Sequence, residues 1–198
     1  MTIDTRDSSR PKMMMKSPSS SSSSQGKKGE SIKVTTLWKP LLKLESCHEF
    51  PFYTDYEEDN WYSWGIDNVG AKWANIEYID DGFINICSAW SPVTPFTNKL
   101  VEWLGKADDA VVIRHNYTDE FYNFIGVSKF TFEQGMPIES NDEMEWDEIL
   151  DILKEKYGFD ATEEDFDWWE CDEDGTTYQE ILEAEVEELL EKMWGDLV

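Results

Sequence analysis

Residues 73–90 read W-A-N-I-E-Y-I-D-D-G-F-I-N-I-C-S-A-W, and their pattern is the clearest indication of the fold class. Apolar and polar residues alternate over 73–79 and again over 83–90, and a period of two predicts β-strands. The D-D-G sequence at 80–82 is a tight-turn signal, because glycine adopts a positive φ without steric cost. The stretch therefore predicts a β-hairpin.

The alternation also predicts which side chains share a face of the hairpin. It places Ala74, Ile76 and Tyr78 together on the first strand. On the second strand it places Ile84 and Ile86 together.

A helix is predicted directly after the hairpin. Pro92 ends the second strand, and Thr94 caps a helix that Pro95 opens, a position at which proline is favoured. Gly105 ends this helix. Its apolar residues recur at helical spacing and are Phe96, Leu100, Val101 and Leu104.

Two further strands are predicted over 110–117 and 121–132, which gives the order β-β-α-β-β. This order predicts an α+β fold with a mainly antiparallel sheet. We expect a single domain over 32–198. Its sheet core spans 64–132, and its acidic helical portion spans 139–198.

The last third of the chain predicts two helices. Residues 140–143 have the Ser-x-x-Glu form of a capping box. The helix that follows ends at Gly158, and its apolar stripe consists of Trp146, Ile149, Leu150, Leu153 and Tyr157. A second helix, over 176–194, is apolar on one face and nearly all glutamate on the other. Residues 162–175 fit either a short helix or a hairpin.

Charge is distributed very unevenly along the 198 residues. The chain has a formal net charge of -26, and residues 133–198 contribute 25 acidic and 3 basic residues. Residues 1–31 are instead weakly basic, rich in serine and free of aromatic residues. Such a segment buries too little apolar area to offset its chain entropy, so we predict a disordered tail there.

No constellation in the sequence predicts catalysis or metal binding. The three cysteines and two histidines are Cys47, Cys87, Cys171, His48 and His115, and their spacing matches no zinc site. The chain also lacks a nucleophile elbow and a glycine-rich phosphate loop. The acidic run at 170–175 matches a calcium loop only in part, since Ile181 stands where the bidentate glutamate belongs. We expect no catalytic residue, no metal and no cofactor.

Composition limits the classes of partner and the cellular compartment that we expect. No apolar run approaches 18 residues, so we expect no membrane-spanning helix. The strong negative charge disfavours direct nucleic-acid binding. Three cysteines do not make a complete disulfide framework, and free thiols suit a reducing compartment, so we expect a cytoplasmic protein.

Aromatic residues crowd into one part of the sequence and are Trp61, Tyr62, Trp64, Trp73 and Trp90. A base-stacking platform uses such rings, but it also needs a cationic groove, and only Lys72 lies near. Packing within the core is therefore the favoured interpretation.

Two motifs occur in a fixed order within 64–132. They comprise Trp64, Asn68, Gly70, Lys72 and Trp73, and then Trp90, Ser91 and Pro92, with a Phe-x-Gly sequence ending at Gly126. This pattern resembles the YubB group of ferredoxin-like domains, which occur on plasmids and phages. The resemblance implies a ferredoxin-like plait and a phage or mobile-element type of protein, and it implies no catalytic residue. Val69 and Val93 depart from the tryptophan and proline expected there.

The functional hypothesis rests on the uneven distribution of charge along the chain. We expect a non-enzymatic protein whose glutamate-rich helix docks on the basic surface of a protein partner, since a strong field speeds association with cationic surfaces. In the extreme case the helix imitates the phosphate array of DNA. The expected docking residues are Glu180, Glu183, Glu185, Glu187, Glu188 and Glu191.

Two alternatives stay open. The acidic surface can serve solubility alone. The apolar stripe of the last helix can instead make the protein an oligomerising or scaffolding module, although 176–194 is short for an independent coiled coil. The sequence leaves the oligomeric state open.

Overall fold

The computed structural model describes residues 2–4, 39–56, 58–80, 82–89, 91–119, 122–159, 161, 167–168 and 175–198. The strands are β1 (Thr2–Asp4), β2 (Ala74–Asp80), β3 (Phe83–Ser88), β4 (Val112–Thr118), β5 (Phe124–Glu133) and β6 (Met136–Glu145). The α-helices are α1 (Trp61–Asn68), α2 (Thr94–Gly105), α3 (Trp146–Tyr157) and α4 (Tyr178–Leu197). Short 3-10 helices span Lys39–Lys43, Cys47–Glu49 and Glu58–Asn60.

The fold is α+β, with the strand order β2-β3-β1-β4-β5-β6. Its contacts divide the chain into two compact units where the sequence predicts one domain over 32–198. Unit 1 comprises 1–115 and 129–140, and unit 2 comprises 116–128 and 141–198.

The predicted hairpin forms in unit 1, where β2 and β3 pair antiparallel and Gly82 has a φ of 84°. Ile84 and Ile86 are fully buried, as their alternation predicts. The register of β2 shifts between Ile76 and Tyr78, so Ile79 packs on the core while Tyr78 is exposed. The sequence-based face for Tyr78 is therefore wrong, because a bulge breaks the period of two.

A short strand lies inside the segment that composition predicts to be disordered. Thr2–Asp4 pair antiparallel with β3, with Ile3 opposite Ile84. Backbone hydrogen bonds alone can hold three extended residues on a sheet, and β-branched Thr2 and Ile3 suit a strand. The rest of the predicted tail lies outside the described residues.

Helix α2 confirms the predicted end and inner face, but the predicted cap is wrong, because the helix begins at Thr94 and its N-cap residue is Val93. Pro95 lies in its first turn, and its last residue is Gly105. All four apolar residues predicted for its inner face are fully buried in the core of unit 1: Phe96, Leu100, Val101 and Leu104. They pack there with Phe50, Ile84 and Ile86.

The predicted capping box at 140–143 is wrong, because these residues lie in strand β6. Gln134 and Gly135 both have a positive φ, at 54° and 87°. That pair of conformations forms the tight hairpin turn whose twist matches that of the flanking strands. The chain therefore continues from β5 into β6, and helix α3 starts only at Trp146.

Helices α3 and α4 build the core of unit 2. Ile149, Leu150 and Leu153 of α3 are buried, and Gly158 ends α3 in the left-handed conformation, as predicted. The buried apolar residues of α4 are Leu182, Val186, Leu189, Leu190 and Met193. They form one cluster with the α3 residues and with Ile125 and Val127 of β5.

Candidate functional site

The outer side of α4 presents a row of exposed carboxylates, which we name the acidic face: Glu180, Glu183, Glu187, Glu188 and Glu191. The periodicity of the helix produces this row, because the apolar stripe of the same helix is buried in unit 2. The structure thus brings together five of the six predicted docking residues on one helix.

Glu185 is the exception, and its prediction as a docking residue is wrong. It is only 3% exposed. Its carboxylate accepts hydrogen bonds from Lys156 Nζ at 2.6 Å and from Tyr157 Oη at 2.7 Å. Position 185 lies four residues before Leu189 and one before Val186, so it falls on the inward stripe of the helix.

Lys156 also contacts the acidic face. Its Nζ donates to Glu188 Oε2 at 2.7 Å, and this ion pair lowers the pKa of Glu188. Hydrogen bonds from Lys156 to Glu185 and Glu188 raise the pKa of the lysine. One cation from α3 therefore partly neutralises Glu188 within the row.

Thr177 and Glu180 form a capping box at the start of α4. Glu180 N donates to Thr177 Oγ1 at 3.2 Å, while Thr177 N donates to Glu180 Oε2 at 2.9 Å. The hydrogen bonds that Thr177 N and Thr177 Oγ1 donate to the carboxylate lower the pKa of Glu180. The N-terminal end of α4 therefore carries a fixed negative charge, which favours the helix dipole.

Unit 1 contains an aromatic cleft of about 180 Å³. Its lining residues are Ser46, Cys47, His48, Tyr56, Trp61, Trp64, Gly65, Val69, Ala71, Lys72, Trp73, Ala74 and Asn75. The rings of Tyr56 and Trp64 meet edge to face, with centroids 5.0 Å apart. His48 stacks on Tyr56 at 4.1 Å, and Ser46 Oγ lies 2.7 Å from His48 Nδ1.

Core packing explains only part of the aromatic cluster. Trp64 is buried, and its Nε1 has no hydrogen-bond partner among the described residues. Trp61, Tyr62 and Trp73 are instead 48%, 52% and 40% exposed. The sequence-based interpretation as core is therefore wrong for these three, whereas Trp90 lies outside the described residues.

Three motif residues line the cleft, namely Trp64, Lys72 and Trp73, and Asn68 makes hydrogen bonds beside it. Asn68 Nδ2 donates to Trp64 O at 3.1 Å, and Asn68 Oδ1 accepts from Lys99 Nζ at 2.7 Å. Tyr53 Oη also donates to Asn68 O, at 2.6 Å. Asn68 thus connects the end of α1 to α2 through Lys99, and to the segment before α1 through Tyr53.

The glycine of the first motif lies against the second motif. Gly70 has a φ of 97°, and a Cβ built on it would lie 2.6 Å from Pro95 and 3.1 Å from Pro92 O. Ser91 O accepts a hydrogen bond from Ser88 Oγ at 2.8 Å, which holds the turn in place. Only glycine fits this position, both for its backbone conformation and for the close approach.

Gly126 plays a separate role, in unit 2. A Cβ built there would lie 2.3 Å from the ring of Tyr117, whose Oη donates to Glu143 Oε2 at 3.0 Å. Gly126 therefore makes room for an aromatic ring on the neighbouring strand and does not belong to the cleft.

Two titratable groups of unit 1, Cys47 and His115, are buried. Burial raises the pKa of the Cys47 thiol, and burial lowers the pKa of His115 to about 3. Cys47 and Cys87 are free thiols, and Cys171 lies outside the described residues. Within the described ranges, no group of three or more His, Cys, Asp or Glu residues could hold a metal ion.

Comparisons with protein-family models, with curated proteins and with solved structures give no match to this chain. Among the described residues, every helix is too short or too polar to span a bilayer.

Proposed function

We propose that this is a non-enzymatic interaction protein whose acidic face docks on the basic surface of a protein partner. One observation carries this proposal: five exposed carboxylates lie in a row on a helix whose apolar side is already buried in unit 2. We infer that the partner is a nucleic-acid-binding protein, because its basic surface is built to meet a regular array of negative charges.

The spacing of the row supports imitation of a DNA strand. Glu180 and Glu191 are eleven residues apart, which corresponds to about 16 Å of helix at 1.5 Å per residue. Five carboxylates over that length are about 4 Å apart in axial rise, against about 3.4 Å between charges along one DNA strand. A basic groove that accommodates phosphates therefore meets charges at a similar interval.

Helix α3 adds to the negative field of unit 2. Its exposed acidic residues are Asp147, Glu148, Asp151 and Glu155. A surface whose charges are all negative steers a cationic partner during the encounter. It also makes the association rate fall as ionic strength rises.

The scaffolding alternative receives no support from α4. Its apolar residues pack on β5 and α3 of the same chain, so the stripe is not available to a partner helix. The solubility alternative makes a different prediction from our proposal. If the charge serves only solubility, the effect of removing a carboxylate should not depend on its location.

We further propose that the protein is cytoplasmic and of phage or plasmid type, with a ferredoxin-like arrangement of the YubB group over 64–132. The sequence motifs support this proposal, and so does the close contact between Gly70 of the first motif and Pro92 of the second.

A displacement assay tests the function. A lysine-rich linker histone is bound to a fluorescent DNA duplex, and the full-length protein is added over a series of salt concentrations. We expect release of the duplex at low salt and progressively less release as salt rises, because the contact is electrostatic. Failure to release the duplex at low salt would contradict the proposal.

A further inference from the structure

Strand β6 has a free outer edge in unit 2. It is the last strand in the order of the sheet and pairs only with β5. Among the described residues, no backbone hydrogen bond joins 141–145 to a segment beyond β5. The exposed residues of this stretch are Asn141, Asp142, Glu143 and Glu145. Because an edge strand presents unpaired N–H and C=O groups, it is suited to binding another extended segment.

One hydrogen bond identifies the backbone groups that face outward. Trp146 N, directly after β6, donates to Asn123 O, directly before β5, at 3.0 Å. Successive residues of a strand direct their N–H and C=O groups to opposite sides, and Glu145 is still extended. Alternate residues before Trp146 therefore point away from β5. These outward-facing residues are Asn141, Glu143 and Glu145.

Side-chain contacts in unit 2 agree with this register. It places Gly126 opposite Glu143, and the ring of Tyr117 lies against Gly126 while its Oη donates to Glu143 Oε2 at 3.0 Å. It also places Ile125 opposite Met144, and both belong to the apolar cluster that α3 and α4 build. Side chains alternate between the faces of a strand, so Glu143 shares the other face with Glu145.

We propose that the outer edge of 141–145 receives an extended basic segment of the partner as an additional β-strand. The outward N–H and C=O groups bind its backbone. The carboxylates of Glu143 and Glu145 then lie beside alternate side chains of the added strand, where opposite charges stabilise a cross-strand pair. The structure therefore favours a segment with a lysine or arginine at every second position.

The charges of the edge also oppose its pairing with a second copy. The same edge of another molecule would bring glutamate beside glutamate, and like charges on facing strands destabilise the pair. The inference rests on the proposed function for the positive charge of the partner. It adds a second contact, made by a strand edge and not by the acidic face.

Amide hydrogen exchange tests the inference. The isotope-labelled full-length protein is followed by NMR at low salt, with and without a probe peptide that contains Lys-Val-Lys-Val-Lys between Gly-Ser ends. We expect the probe to slow exchange of the outward amides of Asn141, Glu143 and Glu145 by about tenfold or more. The amides of Asp142 and Met144 already face β5, so their exchange should change by less than about twofold.

Two control peptides separate the backbone from the charge. In one, every strand amide of the probe is N-methylated, which keeps the lysines but removes the N–H donors. In the other, glutamine replaces each lysine. We expect both to bind about tenfold more weakly than the probe in a calorimetric titration, because each lacks one of the two contributions. Equal binding of either control would overturn the inference.

A matched pair of variants tests the edge from the side of the protein. Asn141→Pro removes one outward N–H while it leaves the net charge and the bonds to β5 in place. We expect it to weaken binding of the probe about tenfold, whereas Asn141→Ala should bind like wild type. Near-UV circular dichroism checks the fold of both. If the proline variant does not fold, the exchange pattern of the wild-type protein decides.

The outcomes separate this inference from the proposed function. If the probe binds without slowing the exchange of the outward amides, the inference fails and the proposed function stands. Slow exchange of these amides in a dimer without peptide would show that a second copy occupies the edge, and it would also overturn the inference. If the probe does not bind at low salt, the inference fails, and displacement of the linker histone decides separately on the acidic face.

Discussion

Lys156 of α3 and Glu185 of α4 form a salt bridge of 2.6 Å in which the carboxylate is almost fully buried. Tyr157 donates a second hydrogen bond to the same carboxylate, at 2.7 Å. Glu185, which the sequence analysis counts among the docking residues, therefore joins the two helices from the inward side of α4. The remaining glutamates of α4 form the acidic face.

Removal of this carboxylate should destabilise unit 2. We expect Glu185→Ala to lower the free energy of unfolding by about 1–3 kcal/mol, because two hydrogen bonds to a buried acceptor are lost. Glu187→Ala, one of the exposed neighbours, should change it by less than about 0.5 kcal/mol. Urea denaturation measures both. Equal effects of the two substitutions would contradict the buried position of Glu185.

The capping box predicts an acid-sensitive contribution to the stability of α4. The folded pKa of Glu180 lies below its ordinary value of 4.5, so the stabilisation is present above pH 4.5 and is lost as pH falls through the folded pKa. Glu180→Gln should therefore lower Tm at pH 7 and have a smaller effect at pH 3. Glu183→Gln is the control, since Glu183 lies outside the capping box. An undiminished Glu180→Gln effect at pH 3 would contradict this prediction.

His115 predicts a second pH dependence, in unit 1. Burial lowers its pKa to about 3 from 6.5, so between these values the unfolded chain binds a proton that the folded chain excludes. Stability should therefore fall as pH decreases below 6.5, by up to about 1.4 kcal/mol per pH unit. His115→Leu should flatten this slope in denaturation experiments from pH 7 to pH 4. A variant with the wild-type slope would refute the prediction.

Two glycines provide a matched test of packing in unit 2. Gly126→Ala should destabilise the protein by about 1–3 kcal/mol, because its Cβ would collide with the ring of Tyr117. Gly195→Ala adds a Cβ with no atom within 4 Å, in helix α4. It should be neutral or stabilising by up to about 1 kcal/mol. Thermal unfolding of both variants checks the difference in sign.

The sequence predicts the parts of the fold that local signals control. Pro95 lies in the first turn of α2, Gly105 is its last residue and Gly158 ends α3, because proline and glycine act on the backbone of their own position. The alternation that buries Ile84 and Ile86 belongs to an uninterrupted strand.

The sequence-based predictions are wrong where a contact between distant residues determines the local structure. The bulge in β2 depends on its pairing with β3, and no local residue type signals it. The capping-box pattern at 140–143 is present in the sequence, but the turn at Gln134 and Gly135 continues the sheet through it. A glycine in a short polar segment was the available signal for that turn.

The candidate site could likewise be predicted only in part from the sequence. The spacing of α4 places Glu185 beside Val186 and Leu189, but the sequence does not show that Lys156 and Tyr157 of another helix supply the partners of a buried carboxylate. The aromatic cluster is visible in the sequence. Only the structure shows that Trp61 and Trp73 stay exposed while Trp64 is buried.

The proposed function requires that the location of the charge matters, and not only its amount. Glu183, Glu187 and Glu191 replaced by Gln, and separately Asp67, Asp109 and Glu133 of unit 1 replaced by their amides, each reduce the net charge of -26 by three units. The decisive measurement is the linker-histone displacement assay with both triple variants at low salt. We expect the α4 variant to be about tenfold weaker, from three contacts of about 0.5 kcal/mol each, and the unit 1 variant to match wild type. Equal displacement by both variants would contradict the claim.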